Sequence, residues 1–343
     1  MLRTLVTLAS LAPALLLPVA ATAQQPPPLA ALVERGEALP NLNAIIVSRD
    51  GNILFEHVFQ GPALDRPVNI KSASKSVMSA LVGIAVDRGV LGGVDQPVAP
   101  ILKASLPADG DPRLQRITVG DLLTMRAGLE RTSGANYGAW ISSRNWVRDA
   151  LSRPFVDEPG GRMLYSTGST HLLSAALTRA SGRSTLELAR DWLGEPLGIT
   201  IPAWERDPQG IYLGGNNMAL SPRALVRFGE LYRNGGVVDG KRVLSEEWIR
   251  RSWTPVTQSM FTGHGYGLGW FSTDLAGHRV NYAWGYGGQM LYVIPDLGLT
   301  IAMTSSTERY ERGSGYVEAL HRLVSDIIIP EVQSSRSTPA GAS

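Results

Sequence analysis

Ser72-Ala73-Ser74-Lys75 is the only Ser-x-x-Lys in the chain, and it precedes a long apolar stretch. Residues three apart share one face of a helix, so the Ser72 hydroxyl and the Lys75 amine can meet. A serine hydroxyl is a weak nucleophile until a base takes its proton. An ordinary lysine, with a pKa of about 10.4, is protonated at neutral pH and cannot be that base. Burial at an apolar helix would lower the value. The partial positive charge of a helix N-terminus would act the same way and would favour an oxyanion forming near Ser72. A capping serine beside a solvated lysine is the other reading of these four residues. The setting favours chemistry, because Lys75 stands alone in its apolar stretch.

The elements that must hold the pair are readable. Residues 73–88 read as a helix, apolar on most sides through Val77, Met78, Leu81, Val82, Ile84 and Ala85, and therefore buried. Gly89 follows where a helix end wants a positive φ. Thr118 and Asp121 have the spacing of a capping box. Ser221-Pro222 pairs a capping hydroxyl with proline at the first helical position and opens a helix through Tyr232. Residues 29–37 read as a short helix and 315–329 as a closing one. Asp50-Gly51 between Ala44–Val47 and Ile53–Phe55 is a two-residue hairpin turn. Strand-like runs return at 279–283, 289–294 and 299–304, with a turn at Pro295–Gly298. Strands at both ends with helices between give an α/β (α+β) chain. One antiparallel sheet is built from both termini, flanked by helices, with a helical domain inserted. The expected boundaries are 24–70 with 262–333 for the sheet domain, 71–261 for the helical domain and a disordered tail over 334–343.

The N-terminus reads as an export signal over residues 1–23. Arg3 supplies the positive start, Leu5–Val19 the apolar stretch, and Ala21-Thr22-Ala23 the cleavage site. Pro13, Pro18 and the short length argue against a membrane anchor. The expected product is a periplasmic or secreted protein with no stable membrane insertion after cleavage. The chain has no cysteine, which excludes disulfides and thiol catalysis. The net charge is +2, with no basic run, so a nucleic-acid partner has no electrostatic support.

Other chemistries find little in the sequence. Gly-x-Ser-x-Gly is absent. His57, His171, His264, His278 and His321 are scattered without metal-ligand spacing, so no metal or other cofactor is expected. His171 reads as an ordinary helix residue. Tyr137, Trp140 and Trp146 form an aromatic group that reads as loop packing, with a substrate-binding wall as the alternative.

Lys71 to Ser76 with its helix resembles the active-site helix of the class C β-lactamase and D-Ala-D-Ala carboxypeptidase superfamily. Further segments follow in that family's order: Asp121–Leu129, Pro159-Gly160, Leu164-Tyr165-Ser166-Thr167-Gly168, Pro196–Ile199, Ser221–Gly236, Gly265–Trp270 and Trp284–Gln289. The resemblance covers roughly residues 29 to 330 and implies a β-lactamase/transpeptidase-like fold with its site between sheet and helices. It implies that Tyr165 is a second proton carrier beside Ser72 and Lys75; either Lys75 or Tyr165 could be the immediate base. It also implies an oxyanion hole of two backbone N–H groups, those of Ser72 and Tyr286, with Trp284, Gly285 and Gly287 at the substrate.

Two departures matter. The β-lactamase members carry Lys-Thr-Gly where this strand reads Ala283-Trp284-Gly285, and Thr167 stands where they prefer Asn. Both resemble the carboxylesterase and 6-aminohexanoate-dimer hydrolase branch. Trp284 would give an apolar pocket wall, or else simply pack in the sheet. The expected function is a secreted serine hydrolase taking a small-molecule ester or amide through an acyl-serine intermediate. A D-amino-acid peptidase or weak β-lactamase, or a silent peptide-binding relative, are the alternatives.

Overall fold

The computed structural model describes residues 29–308 and 310–337. The expected signal segment lies outside them. Helix α1, Ala31–Glu37, leads into the hairpin of β1, Leu42–Arg49, and β2, Asn52–Val58. Asp50 and Gly51 take φ of +50° and +81°, the left-handed pair that a two-residue hairpin turn needs. A 3₁₀ turn then feeds α2, Ser74–Asp87. The helical region contains α3, Val119–Leu123, and α4, Thr167–Ser181. The chain returns through α5, Pro222–Arg233, to the strands β3, Thr257–Gln258, and β4, Gly265–Tyr266. It continues through β5, Phe271–Leu275, β6, His278–Gly285, β7, Gln289–Ile294, and β8, Leu299–Ser305. Two helices, α6, Tyr316–Leu323, and α7, Ile329–Ser337, complete the described chain.

The sheet runs β2-β1-β8-β7-β6-β5-β4-β3, so the N-terminal hairpin pairs with the last strand. Its β1–β8 register sets Ile45 opposite Met303 and Ile46 opposite Ala302. Both faces are covered. Ala44, Ile46, Leu291, Val293 and Ala302 pack with α2 and α5 in one core. Ile45, Val47, Tyr292, Ile301 and Met303 pack with α6 and α7 in the other. This explains why β7 and β8 are buried throughout and read as nearly unbroken apolar runs. At Gly229 an added Cβ would stand 2.5 Å from Thr300, so that glycine lets α5 lie close on the sheet.

The capping box at Thr118 and Asp121 forms, and Ser221 caps α5 through the Ala224 N–H. Two boundaries differ from expectation. Helix α5 and strand β3 were expected in the helical domain but belong to the sheet layer. A short ladder, Val68 with Leu220 and Asn69 with Ala219, joins the two ends of the helical insertion instead. The expected tail from Ser334 is helical through Ser337, because buried Ile329 and Val332 anchor α7 on the sheet. No helix among the described residues is long and apolar enough to cross a membrane.

Candidate active site

Ser72 sits in the 3₁₀ turn Lys71–Ala73 that opens α2. Lys71 adopts a φ of +50°, an uncommon conformation for a residue with a Cβ. Its N–H donates to Asn69 Oδ1 at 2.8 Å, and its carbonyl accepts from the Ser74 hydroxyl at 2.5 Å. Ser74 in turn accepts from the Met218 N–H. The turn carrying Ser72 is thus fastened on both sides.

Lys75 lies one helical turn on and is buried, with 2% of its surface exposed. Its Nζ is 3.2 Å from Ser72 Oγ, 3.3 Å from Thr167 Oγ1 and 2.7 Å from the Gly215 carbonyl oxygen. Burial lowers its pKa to about 7, because the ammonium form loses its hydration. Gly269 brings the chain between β4 and β5 against this helix. The Gly269 carbonyl accepts from Ser76 Oγ at 2.6 Å, and a Cβ at Gly269 would lie 3.0 Å from the Lys75 carbonyl.

Tyr165 faces the same pair. Lys75 Nζ is 4.9 Å from the centre of its ring. Burial raises the phenol to about 12, and a hydrogen bond with Ser72 opposes the rise. The Asp121–Leu129 segment fixes the backbone before Tyr165. Met125, at φ +62°, accepts from the Leu164 N–H at 2.7 Å, and Arg126 donates to the Gly161 carbonyl at 2.7 Å. After Tyr165, α4 begins with two free N–H groups that a distant loop satisfies. Thr167 N–H donates to Ser133 Oγ and Gly168 N–H to Thr132 Oγ1, each at 2.8 Å.

A cavity of about 1090 Å³ opens over Ser72. Its walls include Tyr165, Tyr137, Trp284, Phe261 and Arg131. Phe261 stands edge-on to both Tyr165 and Trp284, at 5.5 and 6.3 Å between ring centres. At the end of β6, a Cβ on Gly285 would come within 2.2 Å of the Ile70 carbonyl. Only glycine there lets the strand end reach the turn that holds Ser72.

The family model described as Beta-lactamase matches residues 29–324. The chain belongs to the Beta-lactamase family. It is 26% identical over 279 residues to the 6-aminohexanoate-dimer hydrolase of Paenarthrobacter ureafaciens, across 73% of this chain and 70% of that protein. The fold is similar to that of EstCE1, a hydrolase with promiscuous acyltransferase activity, at a TM-score of 0.69 and 16% identity over 86% of this chain and 95% of that one. It is similar too to the D-stereospecific amidohydrolase from Streptomyces sp., at a TM-score of 0.65 and 18% identity over 81% of this chain and 94% of that one.

Within this Beta-lactamase-family chain, Ser72, Lys75 and Tyr165 converge as the sequence suggests. Tyr286 is 40% exposed and lines the cavity beside them. Trp284 both lines the cavity and packs against Phe271, so the two readings of it hold together. Gly285 and Gly287, expected at the substrate, are both buried and are not among the cavity-lining residues. Gly285 abuts Ile70, while Gly287, at φ +79°, faces Thr307. The aromatic group divides. Tyr137 lines the cavity and accepts from Asn216 Nδ2 at 3.0 Å, whereas Trp140 and Trp146 pack inside. Sequence reasoning missed the Gly215 carbonyl on Lys75; the run Gly214-Gly215-Asn216-Asn217 was its only signal.

Proposed function

We propose that this chain hydrolyses a small-molecule ester or amide through an acyl-Ser72 intermediate. The observation that carries the reading is the buried Lys75 amine, lowered to about 7 and 3.2 Å from Ser72 Oγ. Its neutral form has two N–H groups and one lone pair. Gly215 takes one N–H and Thr167 Oγ1 can take the other, leaving the lone pair for the Ser72 proton. The Tyr165 phenol, at about 12, stays protonated at neutral pH, which favours Lys75 as the immediate base.

Ser72 Oγ attacks the substrate carbonyl carbon, and its proton passes to Lys75. The N–H groups of Ser72 and Tyr286 receive the oxyanion of the tetrahedral intermediate. As the bond to the leaving group breaks, Tyr165 gives that group its proton and regains one from Lys75. Water then attacks the acyl-serine by the reverse relay and returns free Ser72. Trp284 in place of a strand lysine, with Phe261 beside it, supports an apolar contact with the substrate on that wall, while Arg131 and Arg312 also line the cavity. The aminohexanoate-dimer hydrolase among the relatives supports an amide, and the fold shared with EstCE1 is compatible with an ester. The N-terminal residues support export to the periplasm or beyond.

A fluorophosphonate probe tests the nucleophile. Mass mapping should place one adduct on Ser72, and the Ser72→Ala variant should take none. An adduct elsewhere, or none on the wild-type enzyme, would overturn the reading.

A further inference from the structure

His171 and Asp207 form a fully buried pair, with neither side chain exposed at all. His171 lies on α4, one turn past the Thr167 that meets Lys75. Its Nε2 is 3.0 Å from Asp207 Oδ2, and its Nδ1 accepts from the Gly214 N–H at 3.3 Å. An Nδ1 that accepts carries no proton, so the proton is on Nε2 and is donated to Asp207. The other carboxylate oxygen, Oδ1, accepts from the N–H groups of Gln209 and Ile211 at 2.8 and 2.9 Å. Trp140 and Trp146 stand edge-on to the imidazole, at 5.7 and 5.5 Å between ring centres. Arg179 is the cation whose field couples to Asp207.

The pair leads to the base through the backbone. Gly214 gives its N–H to His171, and its carbonyl accepts from Thr170 Oγ1 at 3.0 Å. The next carbonyl, that of Gly215, is the one Lys75 meets at 2.7 Å. A Cβ at Gly215 would stand 2.3 Å from Thr170 Oγ1 and 2.7 Å from Lys75 Cγ, so the loop is pressed against both. Burial lowers the Lys75 pKa. The path from the pair to Lys75 runs through the Gly214 and Gly215 backbone, which is a matter of position.

We propose that the Asp207–His171 pair positions the Gly215 carbonyl and thereby holds Lys75 on Ser72. Asp207 fixes the tautomer in which His171 Nδ1 can accept. His171 fixes Gly214, and Gly214 sets the direction of the next carbonyl. Both are positioning residues, and the proposal rests on Lys75 serving as the base.

The test begins with Asp207→Asn, which keeps size and shape. Its amide donates toward His171 Nε2 and drives the imidazole proton to Nδ1, where it opposes the Gly214 N–H. Per mole of folded enzyme, kcat/KM for p-nitrophenyl butyrate should fall by ~10-fold to 100-fold, by analogy with the loss of a carboxylate that orients a metal-ligating histidine. The acid limb of the rate profile should also move from its wild-type position. A second comparison sets His171→Asn beside His171→Leu. Both leave Asp207 without its partner, but only the asparagine restores an acceptor to Gly214, and it should be the more active. A folded Asp207→Asn enzyme with an unchanged rate and limb would overturn the proposal. So would equal activity of the two His171 variants. Lys75→Ala serves as the control: if it is as active as wild type, the assignment of the base fails, and this inference with it.

Discussion

Lys75 Nζ stands 3.2 Å from Ser72 Oγ, with the amine buried and the hydroxyl lining an open cavity. The helix makes this meeting a matter of spacing, and burial makes it a matter of proton affinity. A lysine whose pKa is about 7 exists partly as the free amine at neutral pH.

The pH–rate profile should show that amine. Below pH 7 the ammonium form dominates, so kcat/KM should fall about tenfold per pH unit. The Tyr165 phenol, at about 12, should add no limb between pH 7 and 10. Rates from pH 5 to 10 check this, and a flat acid side would remove Lys75 as the base.

Stability should carry the same signature with a definite sign. The unfolded lysine titrates at about 10.4 and the folded one at about 7. Below pH 7 both states are charged, and folding bears the full cost of burying the ammonium. Between those values the unfolded state binds more protons, so stability rises with pH. Lys75→Met should therefore stabilise the fold by a few kcal/mol at pH 6 and by less at pH 10. Melting curves of both proteins at the two pH values measure the difference. An equal effect at both would mean that the lysine is not buried as a strained cation.

Tyr165→Phe removes one hydroxyl and leaves the ring against Phe261. The fold should persist, while kcat drops by ~10²-fold to 10⁴-fold, the contribution of a positioned proton carrier. A variant within about twofold of wild type would reduce Tyr165 to a packing residue.

Much of this arrangement is legible in the sequence. The Asp50-Gly51 turn, the Thr118 capping box and the apolar helix after Ser72 each follow from local chemistry, and each forms. The membership of α5 was not legible. Its apolar face indicates that something covers it, but local pattern does not say that the cover is β7 and β8. The Gly215 carbonyl and the His171–Asp207 pair were hidden for a related reason. A backbone oxygen carries no residue type, and partners 36 and 140 positions apart leave no periodic trace.

The pocket wall gives a comparative prediction. Ala283-Trp284-Gly285 stands where the β-lactamase members carry Lys-Thr-Gly, so that lysine's grip on the carboxylate of a β-lactam is missing. Nitrocefin should turn over slowly beside a short-chain ester measured under the same conditions. Fast nitrocefin turnover would contradict placing the chain nearer the carboxylesterase and 6-aminohexanoate-dimer hydrolase branch than the β-lactamases.

The most direct measurement is p-nitrophenyl butyrate hydrolysis by the purified protein, wild type beside Ser72→Ala. The account predicts turnover by the wild type and none above background by the variant. A variant that hydrolyses the ester as fast as the wild type would contradict it.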